Sequence, residues 1–300
     1  VMHRDGLGVK QDYEQAVTWF RNAADQGLAK AQYNLGQAYY RGQGIPIDHK
    51  QAFKWFLKAA MQGSLSAQVK VGFKYLRGLG VSRNYKLALV WFHRAAEQGH
   101  ITAIYNIGYM YRTGRGVPRN YKEAFNWYLK AALMGHEKAQ DSLGYMYRTG
   151  QGVEKDYERA FNWYLKGAMR GEAINQYTVG VMTENGQGVQ RDLKQALFWY
   201  RKAAEQGYPD AQLRVGFFYW IGRGVAMDYV RALAWWRKAA DQGFANAQFK
   251  LGIAFIANQK VPRDLSQSLI WLRKAAEQNH AKAQNNLGCI YEAGMGVPKD

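Results

Sequence analysis

Apolar residues fall in short blocks with helical spacing, and these blocks recur every 36 residues along the chain. In the segment 28–63, Leu35 and Tyr39 stand four residues apart within a first block. Phe53 and Phe56 belong to a second block, whose apolar positions again follow one helical face. Polar and glycine-rich residues separate the two blocks. The pattern therefore predicts two short helices in every 36-residue segment.

Glycine and aspartate mark the ends of the predicted helices. Gly42 and Gly44 lie between the two blocks, where glycine permits the left-handed backbone angles of a sharp reversal. Asp48 follows at an N-cap position, where its side chain would accept hydrogen bonds from free N–H groups of the second helix. Gly63 is expected to close that helix. Each helix would be roughly 18 Å long, which is too short for stability without packing partners.

Three residue columns keep the 36-residue step. The tryptophan column is Trp19, Trp55, Trp91, Trp127, Trp163, Trp199, Trp235 and Trp271. The glycine column is Gly36, Gly72, Gly108, Gly144, Gly180, Gly216, Gly252 and Gly288. The N-cap column is Asp12, Asp48, Asn84, Asn120, Asp156, Asp192, Asp228, Asp264 and Asp300. Because no insertion or deletion breaks the register, the chain is predicted to be one array rather than two domains.

The predicted array consists of seven full repeats between two half-repeats. Its units are 1–27, 28–63, 64–99, 100–135, 136–171, 172–207, 208–243, 244–279 and 280–300. The glycine column lies inside the first helix, where glycine costs about 1 kcal/mol relative to alanine. We therefore expect a neighbouring helix to approach closely there, with the tryptophan column filling the adjacent space.

The shared pattern is A-x3-LG-x2-Y-x2-G-x-GV-x2-D-x3-A-x2-W-x3-AA-x2-G, and it resembles the Sel1-like repeat, a relative of the tetratricopeptide repeat. The resemblance covers essentially the whole chain. It implies an all-α fold, a right-handed α-solenoid superhelix of helix-turn-helix repeats. It also implies a scaffold or adaptor protein whose motif residues are not catalytic, and it favours a bacterial protein that is periplasmic, secreted or translocated into a host.

Two of the repeats depart from the pattern. In the last full repeat, Asn258 and Lys260 replace the turn glycines, and Asn279 replaces the closing glycine. An altered turn is expected there. In the fifth full repeat, Asn175 replaces the opening alanine and Thr183 replaces the tyrosine. A thinner packing layer is expected at these two residues.

Aromatic and arginine side chains are concentrated on the first helices at positions that the repeat does not require. The resemblance to tetratricopeptide repeats implies that these positions face the inner, concave surface. The predicted partner-binding residues are Tyr33, Tyr40, Phe73, Tyr105, Tyr109, Arg112, Tyr145, Arg148, Tyr177, Phe217 and Trp220. Since tyrosine, tryptophan and arginine dominate interface energetics, we expect a protein or peptide partner to bind here. In the alternative, curvature buries these side chains between neighbouring first helices.

The chain is strongly basic, with a formal net charge of +18 from 41 basic and 23 acidic residues. One set of cations recurs near the end of the second helices, where it opposes the helix dipole. The other set, here called the basic column, precedes the N-cap column and consists of Arg83, Arg119, Lys155, Arg191, Arg263 and Lys299. Solubility alone would explain this column, and the alternative function that it supports is binding to an anionic membrane surface, another polyanion or an acidic protein. No nucleic-acid-binding motif accompanies it, so nucleic acid is not an expected partner.

The sequence carries no recognisable constellation for catalysis or cofactor binding. Cys289 is the only cysteine, which excludes a disulfide framework and a multi-cysteine metal site. His100, His136 and His280 share one loop column and are expected to be exposed. We therefore expect a monomer that is not an enzyme and binds no cofactor or metal. Because Val1 stands where an initiator methionine would, the chain is expected to be a fragment or a processed product.

Overall fold

The computed structural model describes residues 11–257 and 261–294, which form sixteen α-helices and contain no β-strand. In chain order the helices are α1 (Tyr13–Asp25), α2 (Ala29–Arg41), α3 (His49–Met61), α4 (Leu65–Arg77), α5 (Tyr85–Glu97), α6 (Ile101–Thr113), α7 (Tyr121–Leu133), α8 (Glu137–Thr149), α9 (Tyr157–Met169), α10 (Ala173–Asn185), α11 (Leu193–Glu205), α12 (Pro209–Ile221), α13 (Tyr229–Asp241), α14 (Ala245–Ala257), α15 (Leu265–Glu277) and α16 (Ala281–Glu292). Even-numbered helices are the first helices of the repeats, and odd-numbered helices are the second. The predicted all-α architecture of repeated helix pairs is confirmed.

The chain divides into two compact units, with the boundary between Lys155 and Asp156. The first unit contains α1 to α8, and the second contains α9 to α16. Within each unit, every helix packs against the next one in the chain. The expectation of one array over residues 1–300 stays a prediction.

The turns between the paired helices follow the predicted glycine chemistry. Gly42 and Gly44 adopt left-handed φ angles of 71° and 70°. The Gly42 N–H donates to the Ala38 carbonyl at 2.9 Å and so caps α2. A β-carbon on Gly44 would collide with the backbone of Tyr13 at the start of α1. The second turn glycine is therefore required by packing against the preceding repeat as well as by its own φ angle.

The predicted caps of the second helices are also confirmed. At α3, the carboxylate of Asp48 accepts hydrogen bonds from the backbone N–H of Lys50 at 2.9 Å and of Gln51 at 3.0 Å. Gly63 closes the helix with a φ of 85°, and Asn279 adopts the same left-handed region at 60°. Asparagine tolerates that region better than most residues, so the departure at Asn279 preserves the turn. Asn258 and Lys260 lie outside the described residues, and so does Asp300.

The close helix approach at the glycine column is confirmed, but the residue that fills the space differs from the prediction. A β-carbon on Gly36 would lie 2.8 Å from Cδ1 of Phe56, and one on Gly108 would lie 2.8 Å from Cδ1 of Tyr128. These fully buried rings follow the tryptophan column by one residue. The prediction that the tryptophans fill this space was wrong, because a step of one residue turns a helical side chain by about 100°.

The tryptophans pack elsewhere and lie beside the cations near the ends of the second helices. Trp19 is 61 % exposed, whereas Trp91 is buried. The Lys58 Nζ atom lies 4.1 Å from the centroid of the Trp55 ring, and the same lysine or arginine contact three residues later recurs at Trp91, Trp127, Trp163, Trp235 and Trp271. This cation–π arrangement, in addition to the helix dipole, accounts for those recurring cations.

The fifth full repeat is not thinned at its departures from the pattern. Asn175 is buried at 2 % exposure, and its side-chain amide donates to the Glu172 carboxylate. Opposite it stands Gly167, where a β-carbon would collide with the Asn175 side chain. The larger residue on α10 is therefore accommodated by a smaller one on α9. Thr183 is also buried, and its hydroxyl donates to the Val179 carbonyl at 2.8 Å.

Glutamine pairs, each with one buried and one exposed member, link consecutive helices, a feature that the sequence reasoning missed. In α2, the Gln32 Nε2 atom donates to the Ala24 carbonyl of α1 at 3.2 Å. Its Oε1 atom accepts from Gln62 Nε2 at 2.8 Å, which joins the end of α3 to the same side chain. Equivalent bonds join Gln98 to Gln68, Gln206 to Gln176, Gln242 to Gln212 and Gln278 to Gln248. In the third full repeat both members are apolar, Ile104 and Met134.

Candidate functional site

The predicted partner-binding residues all lie on first helices, and all retain solvent exposure. Tyr145 is 38 % exposed. The other ten are half-buried: Tyr33, Tyr40, Phe73, Tyr105, Tyr109, Arg112, Arg148, Tyr177, Phe217 and Trp220. Side chains at Tyr33 and Tyr40 share one face of α2, because residues seven apart in a helix lie two turns apart along it. Eight of the eleven belong to the first unit, and they are described before the three in the second.

On α2, each tyrosine ring packs on a neighbouring aromatic side chain and keeps partial solvent exposure. The ring of Tyr33 packs on that of Phe56 with centroids 5.6 Å apart, and its hydroxyl accepts from Gln37 Nε2 at 3.0 Å. The Tyr40 ring lies 5.6 Å from His49 and carries the Lys74 Nζ atom 4.0 Å from its centroid. Contacts within the fold therefore bury part of each tyrosine ring and leave the rest of its surface open to solvent.

Aromatic residues of α4 and α6 line a continuous groove. Phe73 packs edge-on against Phe92 at 5.2 Å. Tyr105 stacks on His136 with centroids 4.4 Å apart and an interplanar angle of 14°. Phe73, Tyr105 and His136 all line one groove of about 620 Å³, which also reaches the N-terminus of α8 at Lys138. The structure thus brings together two predicted residues from adjacent repeats.

The tyrosine and arginine pairs of α6 and α8 adopt the same arrangement. The Arg112 guanidinium lies 5.7 Å from the Tyr109 ring, and the Arg148 guanidinium lies 5.9 Å from the Tyr145 ring. Arg112 also lies close to the buried phenol of Tyr128. Burial raises the pKa of Tyr128, and the positive charge of Arg112 opposes that rise. Both arginines are therefore held against aromatic rings rather than extended freely into solvent.

In the second unit, the three predicted residues pack on neighbouring aromatic side chains. Tyr177 lies 5.6 Å from Tyr200 and 5.3 Å from Tyr208 between ring centroids. Trp220 lies 4.9 Å from both Trp236 and Tyr229. Phe217 packs at the margin of the same core cluster as Tyr177 and Trp220.

A buried acid lies on α10, one of the first helices in the second unit, and sequence reasoning did not identify it. Glu184 is 5 % exposed, and its carboxylate accepts from the Tyr200 hydroxyl at 2.5 Å. Its Oε1 atom lies 2.8 Å from Arg223 Nη1 and 3.9 Å from Arg214 Nη1. Burial and then the bond to Glu184 raise the pKa of Tyr200. The sequence indication was an acid in a column that holds Tyr40 and Trp220 in other repeats.

The basic column is exposed, but several of its members already make local contacts. Arg83, Arg119, Lys155, Arg191 and Arg263 are all exposed, and Lys299 lies outside the described residues. The Arg83 guanidinium lies 5.4 Å from the Tyr85 ring, and that of Arg119 lies 5.6 Å from the Tyr121 ring. Arg191 Nε donates to the carbonyl of Glu184 at 3.1 Å.

The three loop histidines are N-caps of first helices, and the expectation that they are exposed was wrong. His136 and His280 each accept a hydrogen bond at Nδ1 from a backbone N–H, that of Ala139 or Ala283, at 3.2 Å. All three residues are half-buried, and the rings of His136 and His280 stack on Tyr105 and Phe249 of first helices. Burial lowers the pKa of His100 and of His136. Over residues 11–257 and 261–294 no cluster of histidine, cysteine or acidic side chains could hold a metal ion, and no helix could span a membrane.

Comparison with known proteins identifies the repeat. The Sel1 repeat family profile matches nine consecutive segments that cover residues 1–28, 29–64, 65–100, 101–136, 137–172, 176–208, 209–244, 245–280 and 281–300. A protective antigen of uropathogenic Escherichia coli strains, described as displaying an SLR fold, is 40% identical over 100% of the chain with a TM-score of 0.87. The chain spans 64% of the length of that antigen. A Sel1 repeat protein from Oxalobacter formigenes is 35% identical over 91% of the chain and 80% of its own, with a TM-score of 0.76. No protein of curated function matches the chain.

Proposed function

Because the chain belongs to the Sel1 repeat family, whose members are generally protein-interaction scaffolds, we propose that it is a non-enzymatic scaffold that binds a protein or peptide partner along its first helices. The observation that carries this proposal is the persistent partial exposure of aromatic side chains at positions that the repeat does not require. A solvated face has no folding reason to be aromatic. Rings that are half-packed on the fold and half-exposed are preorganised contacts for a partner.

The first unit offers a continuous surface for such a partner, here called the first-helix surface. Tyr40 and Phe73 line one pocket between α2 and α4. Phe73 and Tyr105 line the next groove, which runs from α4 to α6. Because Phe73 belongs to both, the two depressions adjoin. An extended or helical segment that crosses α2, α4 and α6 would contact them in succession.

The arginines at Arg112 and Arg148 add directional contacts to this surface. Each guanidinium lies over a tyrosine ring, which holds its plane in place before a partner arrives. A preorganised arginine loses less conformational entropy on forming hydrogen bonds with a partner. The arginine and tyrosine pairs therefore support hot-spot roles for Tyr109, Arg112, Tyr145 and Arg148.

We further propose that this scaffold is a bacterial exported protein that meets a host. The support is the similarity to a protein described as a protective antigen in uropathogenic Escherichia coli strains. Detection of the protein in culture supernatant or on intact cells, with a cytosolic marker as control, tests this placement. Recovery in the cytosol alone would contradict it.

The interaction itself is tested with peptides selected against the chain from a random display library. Replacing Tyr109, Arg112, Tyr145 and Arg148 together with alanine should weaken binding of the selected peptides by about tenfold or more. The matched control is Trp19→Ala, because Trp19 is an exposed aromatic residue on a second helix. That variant should bind as the wild-type chain does. Equal binding by all three chains would place the partner surface elsewhere.

A second candidate function is a peripheral module that binds anionic lipid or an acidic protein surface. The observation that favours it is the net charge of +18 together with the exposure of the basic column. Against it, Arg83 and Arg119 lie over their own tyrosine rings, and Arg191 is bonded to a backbone carbonyl. These contacts leave the cations less available, so we rank this function below the scaffold.

A further inference from the structure

A lysine is buried without a partner in the pocket between α2 and α4. Lys74 is 3 % exposed, and its Nζ atom makes no hydrogen bond. Its one compensating contact is the ring of Tyr40, whose centroid lies 4.0 Å from Nζ. A buried ammonium without a hydrogen-bonded counter-charge is costly. A cation–π contact offsets that cost only in part.

The repeat does not require a lysine at this position. The equivalent residues in the other repeats are apolar: Ala38, Met110, Met146, Met182, Phe218, Ala254 and Ile290. Lys74 therefore replaces a core side chain with a charge, which destabilises the packing layer. Violations of local folding rules of this kind are concentrated at functional sites.

Further cations surround Lys74. Lys70 and Arg77 line the same pocket from α4. The charges of Arg41 on α2 and of Arg77 lower the pKa of Lys70, after burial itself. Burial and then the charge of Lys70 lower the pKa of Lys74 to about 8. The Tyr40 hydroxyl and the ring of His49, which packs on Tyr40, are the other titratable groups at this end of the pocket.

No acid of the segment 28–99 neutralises this cluster. Asp48 and Glu97 are the acidic residues of the segment 28–99. The Asp48 carboxylate accepts the backbone N–H groups of Lys50 and Gln51 at the start of α3. Glu97 is exposed at the end of α5. Within these two repeats the Lys74 ammonium therefore has no carboxylate partner, and Glu137 of a later repeat lines the adjoining groove beside Arg77.

The size and walls of the pocket indicate what that molecule presents. The cavity measures about 200 Å³, and apolar side chains of Phe56, Phe73 and Leu79 line it beside the cations. Such a space suits a small anionic group on a short apolar stem. It also opens beside the Phe73 groove, so a chain that follows the first-helix surface passes its mouth.

We propose that the Lys74 pocket, formed by Tyr40, Lys70, Phe73, Lys74 and Arg77, binds the side-chain carboxylate of a glutamate or aspartate in a partner peptide that lies along the first-helix surface. This inference rests on the proposed function, because it supplies the acidic residue of the same partner. A carboxylate accepts charge-assisted hydrogen bonds from lysine and arginine, which satisfies the Lys74 ammonium directly. The ion pair also raises the pKa of Lys74 when the peptide binds.

The test begins with peptides selected on the full chain from a random library. We expect acidic residues to be enriched at one position of the selected peptides. A selected peptide and its glutamate-to-glutamine version are then titrated against the wild-type chain, Lys74→Met and the control Lys54→Met. Methionine is the residue that Met110 and Met146 show at this position, so the first variant should fold. Lys54 is an exposed lysine on α3.

The wild-type chain and Lys54→Met should bind the glutamate peptide about tenfold more tightly than the glutamine peptide. In Lys74→Met this preference should disappear. Heteronuclear NMR of lysine side chains should show the pKa of Lys74 rising with the glutamate peptide alone.

Selected peptides without acidic enrichment, or a preference that survives Lys74→Met, would overturn the pocket inference and leave the scaffold function standing. A preference for inorganic phosphate or phosphatidylserine vesicles that depends on Lys74 would also overturn it. If no peptide is selected, both proposals fail.

Discussion

Gly72 of α4 faces Phe92 of α5 so closely that a β-carbon on the glycine would lie 2.7 Å from Cε1 of the ring. The equivalent glycines make the same approach to Phe56, Tyr128, Tyr200, Trp236 and Leu272. The absence of a side chain on the first helix therefore creates the space in which the largest core side chain of the second helix packs. This relationship explains why a residue that disfavours helices recurs in the middle of one.

Gly72→Ala is expected to destabilise the chain. Overpacking a filled core costs about 1–3 kcal/mol, which exceeds the gain of about 1 kcal/mol in helix propensity. Phe92 is fully buried and cannot move aside without displacing its own neighbours. Urea unfolding measures the change in the free energy of unfolding.

The same column contains its own control. No described atom lies within 4 Å of a β-carbon on Gly288 in α16, so Gly288→Ala retains the propensity gain without the clash. It should stabilise the chain by up to about 1 kcal/mol. If Gly72→Ala and Gly288→Ala changed the free energy of unfolding in the same direction, the packing explanation would be contradicted.

Much of the fold follows from local chemistry that a sequence displays. The N-cap at Asp48 and the left-handed glycines at Gly42 and Gly63 each depend on the backbone of their own turn, so their spacing was enough to predict them. The partner of Gly36 depends on how two helices are rotated against each other. The conspicuous residue, Trp55, was therefore chosen over its neighbour Phe56, which in fact fills the space.

Gln212→Ile alone should destabilise the second unit. Gln212 donates to the Ala204 carbonyl at 3.1 Å and accepts from Gln242 at 2.8 Å, and both bonds would be lost from a buried site. The expected cost is about 1–3 kcal/mol. Adding Gln242→Met places at both positions the apolar residue types that Ile104 and Met134 supply in another repeat, and it should recover part of the loss.

A double-mutant cycle in urea measures this coupling. The interaction energy of the two substitutions should be about 0.5 kcal/mol or more in the favourable direction. Strict additivity of the two costs would show that the glutamines do not act as a pair.

Lys74→Met should stabilise the chain at neutral pH. The substitution removes an unsatisfied buried ammonium, whose burial costs about 1–3 kcal/mol, and it loses a cation–π contact worth about 0.5–1 kcal/mol. The net gain should therefore be on the order of 1 kcal/mol. Lys54→Met, on an exposed side chain, should change stability little.

This stabilisation should depend on pH in a defined direction. Since the pKa of Lys74 is lowered to about 8 from 10.5, the unfolded chain binds more protons than the folded chain between these values. The penalty in the wild-type chain is therefore complete below about pH 8 and is relieved as the pH rises towards 10.5. The advantage of Lys74→Met should shrink over that window, and an advantage that is constant or growing would contradict the assignment.

Charge reversal in the basic column separates the two candidate functions. Arg83→Glu together with Arg119→Glu should leave the affinity for selected peptides within about twofold, because neither residue lies on the first-helix surface. Moderate salt should likewise weaken the peptide complex only modestly. Binding to phosphatidylserine vesicles that is steeply salt-dependent and abolished by the reversals would favour the lipid-binding function instead.

The site could be predicted in part. The resemblance to tetratricopeptide repeats indicated which columns face the inner surface, and residue type then singled out Tyr40, Phe73 and Tyr105 as predicted partner-binding residues. Glu184 was missed because its column also holds Arg112, Arg148 and Glu292, and Lys74 was missed because a single charge in an apolar column carries no spacing of its own. Its meaning depends on side chains from other helices, such as Arg223 around Glu184 and Tyr40 around Lys74.

Hydroxyl-radical footprinting with a selected peptide tests the central claim most directly, since it locates the partner without any substitution. Tyr145 on the first-helix surface is 38 % exposed, and Trp19 on a second helix is 61 % exposed, so both react in the free chain. On saturation with the peptide, the oxidation rate of Tyr145 should fall by more than half while that of Trp19 stays unchanged. Protection of Trp19 with an unchanged rate at Tyr145 would contradict binding along the first helices.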